Sequence, residues 1–474
     1  MKRIAIAGGG IAGLTAAYEL SRLAKDGASI EVVLFEPSHR LGGIVETVHE
    51  GGFVIEGGPD AWVTEKPWAR SLAEELGLGE EILYSNDSER KTYILLDGQL
   101  KALPDGMRMI VPGDLGALDR SELFSAEAKL AYHREIERGA ELKTNAPQQD
   151  ESIASFVQRH FGDEVLQKIG APLLRGVFGG DVATLSARAV MAPFVAMERE
   201  HGSLISAVQN RSAANNGQEA PIFTTLRHGL GTLVNAMIGA IPQNWIRLGA
   251  TVNSISRDGD GWRLKTSASE ENFDAILIAV PAHIAQQLLQ PVDTRTSELL
   301  EMQLTSAVVV AFGFADAAML AIPPGFGFLV PHNERSLLLA CTFVDQKFAH
   351  RAPQGGKLLR AFFGGDAAER LMNCGNDEVA AVARLELAHI LGALPVPQVT
   401  VVRRWPRSLP QYAVGHLERM EELEQRVKKL RGLHLLGNAY HGVGLPDLIR
   451  DARATARQIA LKENDYEHRN HSRR

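Results

Sequence analysis

The sequence has few cysteines, no excess of basic charge and no long uninterrupted apolar run. Its 474 residues include two cysteines, Cys341 and Cys374, too few for a disulfide framework, which favours a reducing compartment. The formal net charge of -7 lacks the basic excess of nucleic-acid-binding proteins. Residues 307–330, the most apolar region, are broken by Pro323-Pro324 and cannot supply the roughly 20 apolar residues of a membrane-spanning helix. We therefore expect a cytoplasmic globular protein that binds no nucleic acid.

A glycine-rich turn joins the first predicted strand to the first predicted helix. Apolar residues 4–7 precede Gly8, Gly10 and Gly13, and residues 14–23 continue with helical spacing. In this G-x-G-x-x-G pattern the first glycine permits a tight turn and the second lets the backbone approach a pyrophosphate. The third lets the helix pack close to the strand, and the helix N-terminus attracts phosphate. The pattern predicts a dinucleotide site.

An acidic residue at the end of the next strand strengthens this prediction. Residues 30–35 predict a strand that ends on Glu36, whose carboxylate can accept hydrogen bonds from both ribose hydroxyls and would disfavour a 2′-phosphate. One alternative is a glycine-rich turn in another kind of α/β protein. A second alternative is a secretory signal after Lys2 and Arg3, but no cleavage-like segment follows and Glu19 interrupts the apolar run.

Further glycines predict other close approaches of the backbone to a ligand. They lie in Arg40-Leu41-Gly42-Gly43, in Gly57-Gly58-Pro59-Asp60 and in Gly442-Val443-Gly444. The last group precedes a helix predicted over residues 446–461, whose N-terminus would stabilise negative charge on an electron-rich ligand. Simple turns are the alternative for the first two groups.

Residues 105–215 predict a helical block, and the small, polar residues 211–221, which include Asn215-Asn216-Gly217, predict an exposed loop. Its opening is unusually apolar and includes Met107, Met109, Ile110, Val111, Leu115 and Leu118. This opening is either a surface that dips into a membrane or opens a hydrophobic channel, or ordinary core. Within the block, residues 173–181 predict a close-approach loop whose Arg175 could clamp a carboxylate; a helix-ending turn is the alternative.

The remaining segments predict one further helix and two sheets. The helix is predicted over residues 66–84. Residues 275–280 form a continuous apolar strand that we expect to return to the sheet begun at residue 4. Residues 290–395 predict a second, mixed sheet with a helix. Because 474 residues exceed one hydrophobic core, two or three domains are expected.

Several motifs together resemble a known family. Arg40-Leu41-Gly42-Gly43 is similar to flavoproteins of the amine-oxidase superfamily. The joint pattern along the chain resembles the oxygen-dependent protoporphyrinogen oxidase family, in which bacterial relatives oxidise coproporphyrinogen III. The motifs that carry it are Gly58-Pro59-Asp60 with Glu65-Lys66, Arg175-Gly176-Val177-Phe178-Gly179-Gly180-Asp181, Pro410-Gln411-Tyr412 with Val414-Gly415-His416, and Gly442-Val443-Gly444-Leu445-Pro446-Asp447.

The resemblance implies an FAD enzyme that removes six electrons from protoporphyrinogen IX in three hydride transfers to the flavin, with dioxygen as acceptor and hydrogen peroxide as product. Coproporphyrinogen III is the alternative substrate. More distant alternatives are an amine- or carotenoid-type flavin oxidoreductase and a non-enzymatic FAD-binding scaffold. We assign no catalytic residue and predict no metal site, because catalysis would rest on the cofactor and on positioning.

The resemblance also implies the site residues. Those expected to contact FAD are Gly8, Gly9, Gly10, Ile11, Ala12, Gly13, Glu36, Arg40, Gly42, Gly43, Gly58, Pro59, Asp60, Ala61, Val252, Trp405, Gly442, Val443 and Gly444. Those expected to contact the porphyrinogen are Arg175, Gly176, Leu329 and Phe362. Plant-type members place an arginine near Tyr93 for a propionate, whereas this chain has Thr92 beside Arg90 and Lys91, so the propionate partner stays open.

The predicted architecture is α/β plus α+β. A discontinuous Rossmann-type FAD-binding domain comprises residues 1–65, 222–285 and 397–474. A mixed-sheet substrate domain comprises residues 66–104 and 286–396, and residues 105–221 form an inserted helical domain. A homodimer and peripheral contact with the inner face of the cell membrane are left open.

Overall fold

The chain forms a mixed α/β fold with several separate sheets, as predicted. The structure, a computed structural model, describes residues 1–214, 221–315 and 320–471. The loop predicted over residues 211–221 is wrong for residues 211–214, which end the helix Leu204–Ala214, and Asn215-Asn216-Gly217 lie outside the described residues. None of the helices in the described ranges is long and apolar enough to cross a membrane.

Five parallel strands from distant parts of the chain form one sheet, which we call the parallel sheet. In spatial order they are Ile246–Leu248, Ile30–Glu36, Lys2–Ala7, Ala275–Ile278 and Leu433–Leu435. The fourth strand pairs with the first strand of the chain, as predicted. Its continuous apolar run suits this position, because parallel strands are buried on both faces.

Helices cover one face of the parallel sheet, and helices with a small antiparallel sheet cover the other. The first face packs against the helices Ile11–Lys25, Gly231–Ala240 and Leu445–His471. The second packs against the strands Val252–Asp258, Gly261–Thr266 and Glu270–Phe273 and the helices Ala282–Leu289 and His416–Val427. The C-terminal helix begins one residue before the predicted start and continues past the predicted end.

Seven strands form a second sheet, which we call the large sheet. In spatial order they are Val399–Pro410, Leu304–Phe314, Lys357–Gly364, Ala340–Phe343, Gly327–Leu329, Thr92–Leu96 and Gln99–Ala102. Neighbours are antiparallel except Gly327–Leu329 and Thr92–Leu96, which run parallel. The helices Gly365–Leu371 and Asn376–Leu391 pack on this sheet, and the short helix Val344–Lys347 precedes one of its strands.

The helix predicted over residues 66–84 is wrong in its second half. The helix spans Trp68–Glu75 and is followed by a one-turn helix, Gly79–Glu81. Gly77 has a left-handed backbone (φ 79°), which ends the helix. The strand Ile82–Tyr84 then joins a small sheet with Phe223–Leu226 and Trp62–Val63. Two hairpin-like pairs complete the strands, Thr47–Glu50 with Phe53–Glu56 and Met107–Arg108 with Val111–Pro112.

The predicted helical block consists of short helices. They are Leu115–Arg120, Ala126–Glu137, Gly139–Thr144, Ile153–Phe161, Asp163–Val165, the π-helix Leu166–Gly170, Ala171–Phe178, Ala187–Val190, Ala192–His201 and Leu204–Ala214. Ser125, Ser152 and Ser186 begin three of them, and each hydroxyl accepts a hydrogen bond from a backbone N–H of the first turn.

The apolar opening of the helical block is divided between core and partly exposed positions. Ile110, Val111 and Leu118 are fully buried in the core of the block, as the core interpretation predicts. Met107, Met109 and Leu115 pack against this core and are only partly buried. A membrane-dipping surface or a hydrophobic channel formed by these three side chains stays a prediction. The three-domain division stays a prediction.

A buried histidine links three helices of this block. The Nδ1 atom of His160 lies 3.0 Å from Oε1 of Glu135, and its Nε2 atom lies 3.2 Å from Oε1 of Glu198. Burial lowers the pKa of His160, but the hydrogen bonds with the two carboxylates outweigh burial and raise it above 6.5. The raised pKa favours the imidazolium form, which donates to both carboxylates.

Replacing His160 with leucine is expected to lower the free energy of unfolding by about 3–5 kcal/mol, because it leaves the buried carboxylate of Glu135 without its cation, whereas Glu198 keeps its ion pair with Arg159. The pKa is raised in the folded state, so the difference from wild type is largest below about pH 6.5 and shrinks as pH rises through the folded-state pKa. Urea unfolding between roughly pH 5.5 and 8.5 measures both effects. His133→Leu, which removes an exposed contact with Asp119, is the control and should change little. A pH-independent difference would contradict the assignment.

Candidate functional site

The N-terminus of the first helix is buried and lacks a cap. Its N-cap residue, Gly10, has no side chain, and Ile11 and Ala12 are only 5% and 6% exposed. In the described part of the chain, the N–H groups of Ala12 and Gly13 have no hydrogen-bond acceptor. A buried helix end without acceptors fits an anionic ligand, which the helix dipole also favours. These residues therefore fit the pyrophosphate of a dinucleotide.

The glycines of this turn have two different roles, close packing at Gly8 and Gly13 and open space for a ligand at Gly10. A Cβ added at Gly13 would lie 2.0 Å from the carbonyl oxygen of Gly8, so the helix packs directly on the strand, as predicted. Gly8 has φ 105°, and a Cβ there would lie 2.4 Å from the carbonyl oxygen of Ala279. A Cβ at Gly10 would meet only Cα of Gly43, at 3.9 Å, so the space beside Gly10 is open to a ligand.

Glu36 lies at the glycine turn. Its Oε2 atom accepts a 2.8 Å hydrogen bond from the N–H of Gly9, and its Oε1 atom accepts one from the N–H of Ser38. Its carbonyl oxygen accepts from the N–H of Ala250, which brings the strand that starts at Val252 to the same edge. Contact of Glu36 and Val252 with the cofactor stays a prediction.

Arg40 holds its own loop. Its guanidinium donates to the carbonyl oxygens of Gly43 and Val45, the latter at 3.2 Å. Gly42 donates from its N–H to the carbonyl oxygen of Gly9 at 2.8 Å, which ties this loop to the glycine turn. The structure thus gives Arg40 a loop-stabilising role that its sequence position did not reveal. Its contact with the cofactor stays a prediction.

Residues 57–61 run past this loop and meet the C-terminal part of the chain. A Cβ at Gly58 would lie 1.9 Å from the carbonyl oxygen of Ile44, so only glycine fits. The indole Nε1 of Trp405 donates to the carbonyl oxygen of Gly57 at 2.8 Å. Trp405 and Gly58, both predicted from the sequence, are therefore neighbours. Pro59 and Ala61 flank Asp60 and are partly exposed.

Beside this segment lies a group of charged residues, of which sequence analysis predicted only Asp60. We call Glu56, Asp60, Lys347, Arg351 and Arg360 the buried ion cluster. Lys347 Nζ lies 3.0 Å and Arg360 Nη1 3.5 Å from Oδ2 of Asp60, and Arg351 Nη2 lies 3.5 Å from Oε1 of Glu56. Burial alone would raise the pKa of Asp60, but the charges of Lys347 and Arg360 outweigh burial and lower it to about 2. The sequence signal that could have indicated this cluster is Arg360, a charged residue inside the apolar strand Lys357–Gly364.

The C-terminal glycine loop is held by Tyr412 and by an ion pair. The N–H of Gly442 donates to the hydroxyl of Tyr412 at 3.1 Å, and that hydroxyl donates to the carbonyl oxygen of Asn438 at 2.5 Å. Lys66 Nζ lies 2.6 Å from Oδ2 of Asp447 in the first turn of the C-terminal helix. This pair links the loop to the segment that follows residues 57–61. Contact of Gly442, Val443 and Gly444 with the cofactor stays a prediction.

Arg175 and Gly176 lie in a helix, so the predicted close-approach loop is wrong. The helix Ala171–Phe178 ends at Gly179, whose left-handed backbone (φ 67°) makes the helix-ending turn. A Cβ at Gly176 would meet only Cδ2 of Leu329, at 3.4 Å. The sequence-predicted pair Gly176 and Leu329 is thus in contact.

Phe362 lies two strands away from Leu329. Ala340 on the strand between them is the register partner of both residues. The guanidinium carbon of Arg360 is 5.0 Å from the centre of the Phe362 ring.

Arg175 has no ionic or hydrogen-bond partner for its side chain in the described ranges. A porphyrinogen between Leu329 and Phe362 stays a prediction.

Comparisons with known proteins agree along the whole chain. The model of the family described as flavin containing amine oxidoreductase matches residues 11–460. The chain is 30% identical to a coproporphyrinogen III oxidase of Bacillus subtilis (strain 168) over 461 residues, which cover 96% of this chain and 97% of the relative. It is 26% identical to the chloroplastic protoporphyrinogen oxidase 1 of Spinacia oleracea, over 96% of this chain and 83% of that protein.

A solved structure shares the complete fold. It is a protein of Exiguobacterium sp. 255-15, provisionally assigned as a protoporphyrinogen oxidase. The TM-score is 0.84 at 32% identity, and the match covers 97% of this chain and 99% of that one.

Proposed function

This chain belongs to the flavin containing amine oxidoreductase family, whose cofactor is FAD, and from this premise we propose that it oxidises a porphyrinogen in haem biosynthesis. The observation that carries the proposal is the match, over 96% of this chain, with a relative named for coproporphyrinogen III oxidation. The helix that places Gly176 against Leu329 supports it, because it also carries Arg175, whose side chain has no partner among the described residues.

The residues of the site would act by binding and positioning. FAD supplies the two-electron oxidation chemistry when bound. The N–H groups of Ala12 and Gly13 would hold its pyrophosphate, and Glu36 its ribose. Residues 57–61 with Trp405 would orient its ring, and the N-terminus of the C-terminal helix would favour negative charge there. Holding the substrate carbon against the ring would provide most of the rate enhancement.

Two substrates are candidates. Protoporphyrinogen IX, which carries two carboxylates, is favoured by the similarity to the Spinacia oleracea protein. Coproporphyrinogen III, which carries four, is favoured by the higher identity to the Bacillus subtilis protein. Dioxygen would be the electron acceptor, with release of hydrogen peroxide. Peripheral membrane contact and a homodimer also stay predictions.

The test is to purify the protein, measure its FAD absorbance and follow porphyrin fluorescence with each porphyrinogen under air. Faster turnover of coproporphyrinogen III would identify it as the substrate, and faster turnover of protoporphyrinogen IX would identify that one. Oxygen consumption with hydrogen peroxide formation would establish the acceptor. No fluorescence gain with either substrate would contradict the proposed function, and turnover of simple amines instead would favour the amine-oxidase alternative.

Replacing Arg175 with methionine is expected to raise KM for the porphyrinogen about tenfold with little change in kcat. A hydrogen bond between charged groups contributes about 1.5–3 kcal/mol, and about 1.4 kcal/mol corresponds to tenfold. Steady-state kinetics with each porphyrinogen measures the change. The exposed Arg370 on the helix Gly365–Leu371 gives the matched control, Arg370→Met. An unchanged KM in Arg175→Met would exclude Arg175 as a carboxylate partner.

A further inference from the structure

The buried ion cluster carries more positive than negative charge. It contains three cationic side chains and two carboxylates, and Arg351, Arg360 and Glu56 are each 1% exposed. Lys347 is 8% exposed, and the side chain of Asp60 keeps 18% of its surface accessible. If both carboxylates are ionised, one positive charge therefore stays uncompensated within the cluster.

The protonation states increase this excess. The cations keep Asp60 ionised, because they lower its pKa to about 2 against the effect of burial. Burial raises the pKa of Glu56 and outweighs the lowering effect of Arg351, so the neutral form of Glu56 is favoured relative to an exposed glutamate. The positive excess is therefore present throughout the neutral pH range.

The cluster is attached directly to the segment predicted to line the flavin. Arg360 donates a hydrogen bond to the carbonyl oxygen of Gly58 and lies 3.5 Å from the Asp60 carboxylate. Arg351 donates from Nη2 to the hydroxyl of Thr225 at 2.8 Å, and that hydroxyl donates to the carbonyl oxygen of Asp60. Arg360 directly and Arg351 through Thr225 therefore hold the backbone of residues 58–60 in place.

An uncompensated buried charge is costly unless an opposite charge approaches it. The Nε atoms of Arg351 and Arg360 are buried and have no acceptor in the part of the chain that the structure describes. Negative charge arriving near residues 57–61 would relieve this cost. Reduction of a flavin ring would bring such a charge, because uptake of two electrons and one proton leaves the ring with one net negative charge.

We propose that the buried ion cluster raises the reduction potential of bound FAD, with Arg360 and Lys347 contributing through their positive charges. The inference rests on the proposed placement of FAD beside residues 57–61, but it does not depend on which substrate is oxidised. Electron transfer from substrate to FAD would then be more favourable than with a neutral cluster. The effect acts through space, because the interior screens charges weakly.

The experiment measures the midpoint potential of the FAD-loaded protein by equilibration with a reference dye, without porphyrinogen. Arg360→Met should shift the equilibrium about tenfold toward oxidised FAD, which corresponds to about 30 mV for a two-electron couple. Asp60→Asn should shift it in the opposite direction, because it removes a negative charge. Arg360→Lys, which keeps the charge, and the exposed control Arg370→Met should both stay close to wild type. Lys347→Met, which also removes a positive charge, should shift the equilibrium in the same direction as Arg360→Met.

The opposite directions of the two expected potential shifts distinguish an electrostatic effect of the cluster from a purely structural one. A purely structural cluster would shift Arg360→Met and Asp60→Asn in the same direction or leave both unchanged, and either result would overturn the proposal. It would also be overturned if the charge-altered variants lost FAD while Arg360→Lys retained it, since the cluster would then act on binding. Opposite shifts combined with no porphyrin formation would support the cluster while rejecting the proposed substrate.

Discussion

Replacing Gly176 with phenylalanine is expected to reduce porphyrinogen turnover by roughly 100-fold or more while FAD stays bound. Gly176 is exposed on its helix, and a Cβ there would already lie 3.4 Å from Cδ2 of Leu329. A ring at this position would extend into the space in which the macrocycle is proposed to lie. Displacing a substrate by about 1 Å can cost about 100-fold in rate. Porphyrin fluorescence measures turnover, and flavin absorbance measures the bound cofactor.

The matched control is Gly176→Ala. Its methyl group makes an ordinary contact with Leu329, and alanine is favoured over glycine in a helix by about 0.5–1 kcal/mol. This variant should therefore keep most of the activity and unfold at a slightly higher temperature. If Gly176→Phe kept its turnover, the substrate would lie elsewhere. If it lost FAD as well, the helix would belong to the cofactor site.

Replacing Gly10 with alanine is expected to weaken FAD binding about 100-fold without destabilising the FAD-free protein. The added methyl group would meet only Cα of Gly43, at 3.9 Å, so the protein itself accommodates it. The same methyl group would occupy the side on which the backbone must approach the pyrophosphate. Losing two hydrogen bonds to a charged group costs about 3 kcal/mol, and this is about 100-fold in affinity. FAD titration of the apoprotein and urea unfolding measure the two quantities.

Gly13→Ala should show the reverse pattern. Its methyl group would lie 2.0 Å from the carbonyl oxygen of Gly8 and would push the helix off the strand, costing about 1–3 kcal/mol of stability even without FAD. Gly239→Ala, in a helix where an added Cβ meets nothing within 4 Å, controls for alanine substitution itself. Equal loss of stability in Gly10→Ala and Gly13→Ala would show that the glycine turn has no specific relation to a phosphate.

The local parts of the cofactor site could be predicted from the sequence. The strand, the glycines and the helix of residues 2–25 are neighbours in the chain, and their roles follow from short-range geometry: Gly13 packs on Gly8 as its spacing predicts. The strand Ala275–Ile278 was placed correctly because a continuous apolar run suits only a sheet covered on both faces. The family motifs then extended the prediction to FAD.

Other features depend on residues far apart in the chain, and only the tertiary structure decided them. Lys347 and Asp60 are separated by 287 positions, and no local pattern indicates that they form an ion pair. Sequence alone could not tell which side chains of the apolar opening are buried, and the packing of the helices places Ile110, Val111 and Leu118 in the core. Arg175 reads as part of a loop until packing extends the helix to Phe178. The sequence by itself therefore determined the dinucleotide turn. Tertiary packing decided which charged residues contact residues 57–61, because burial and long-range pairing depend on the whole fold.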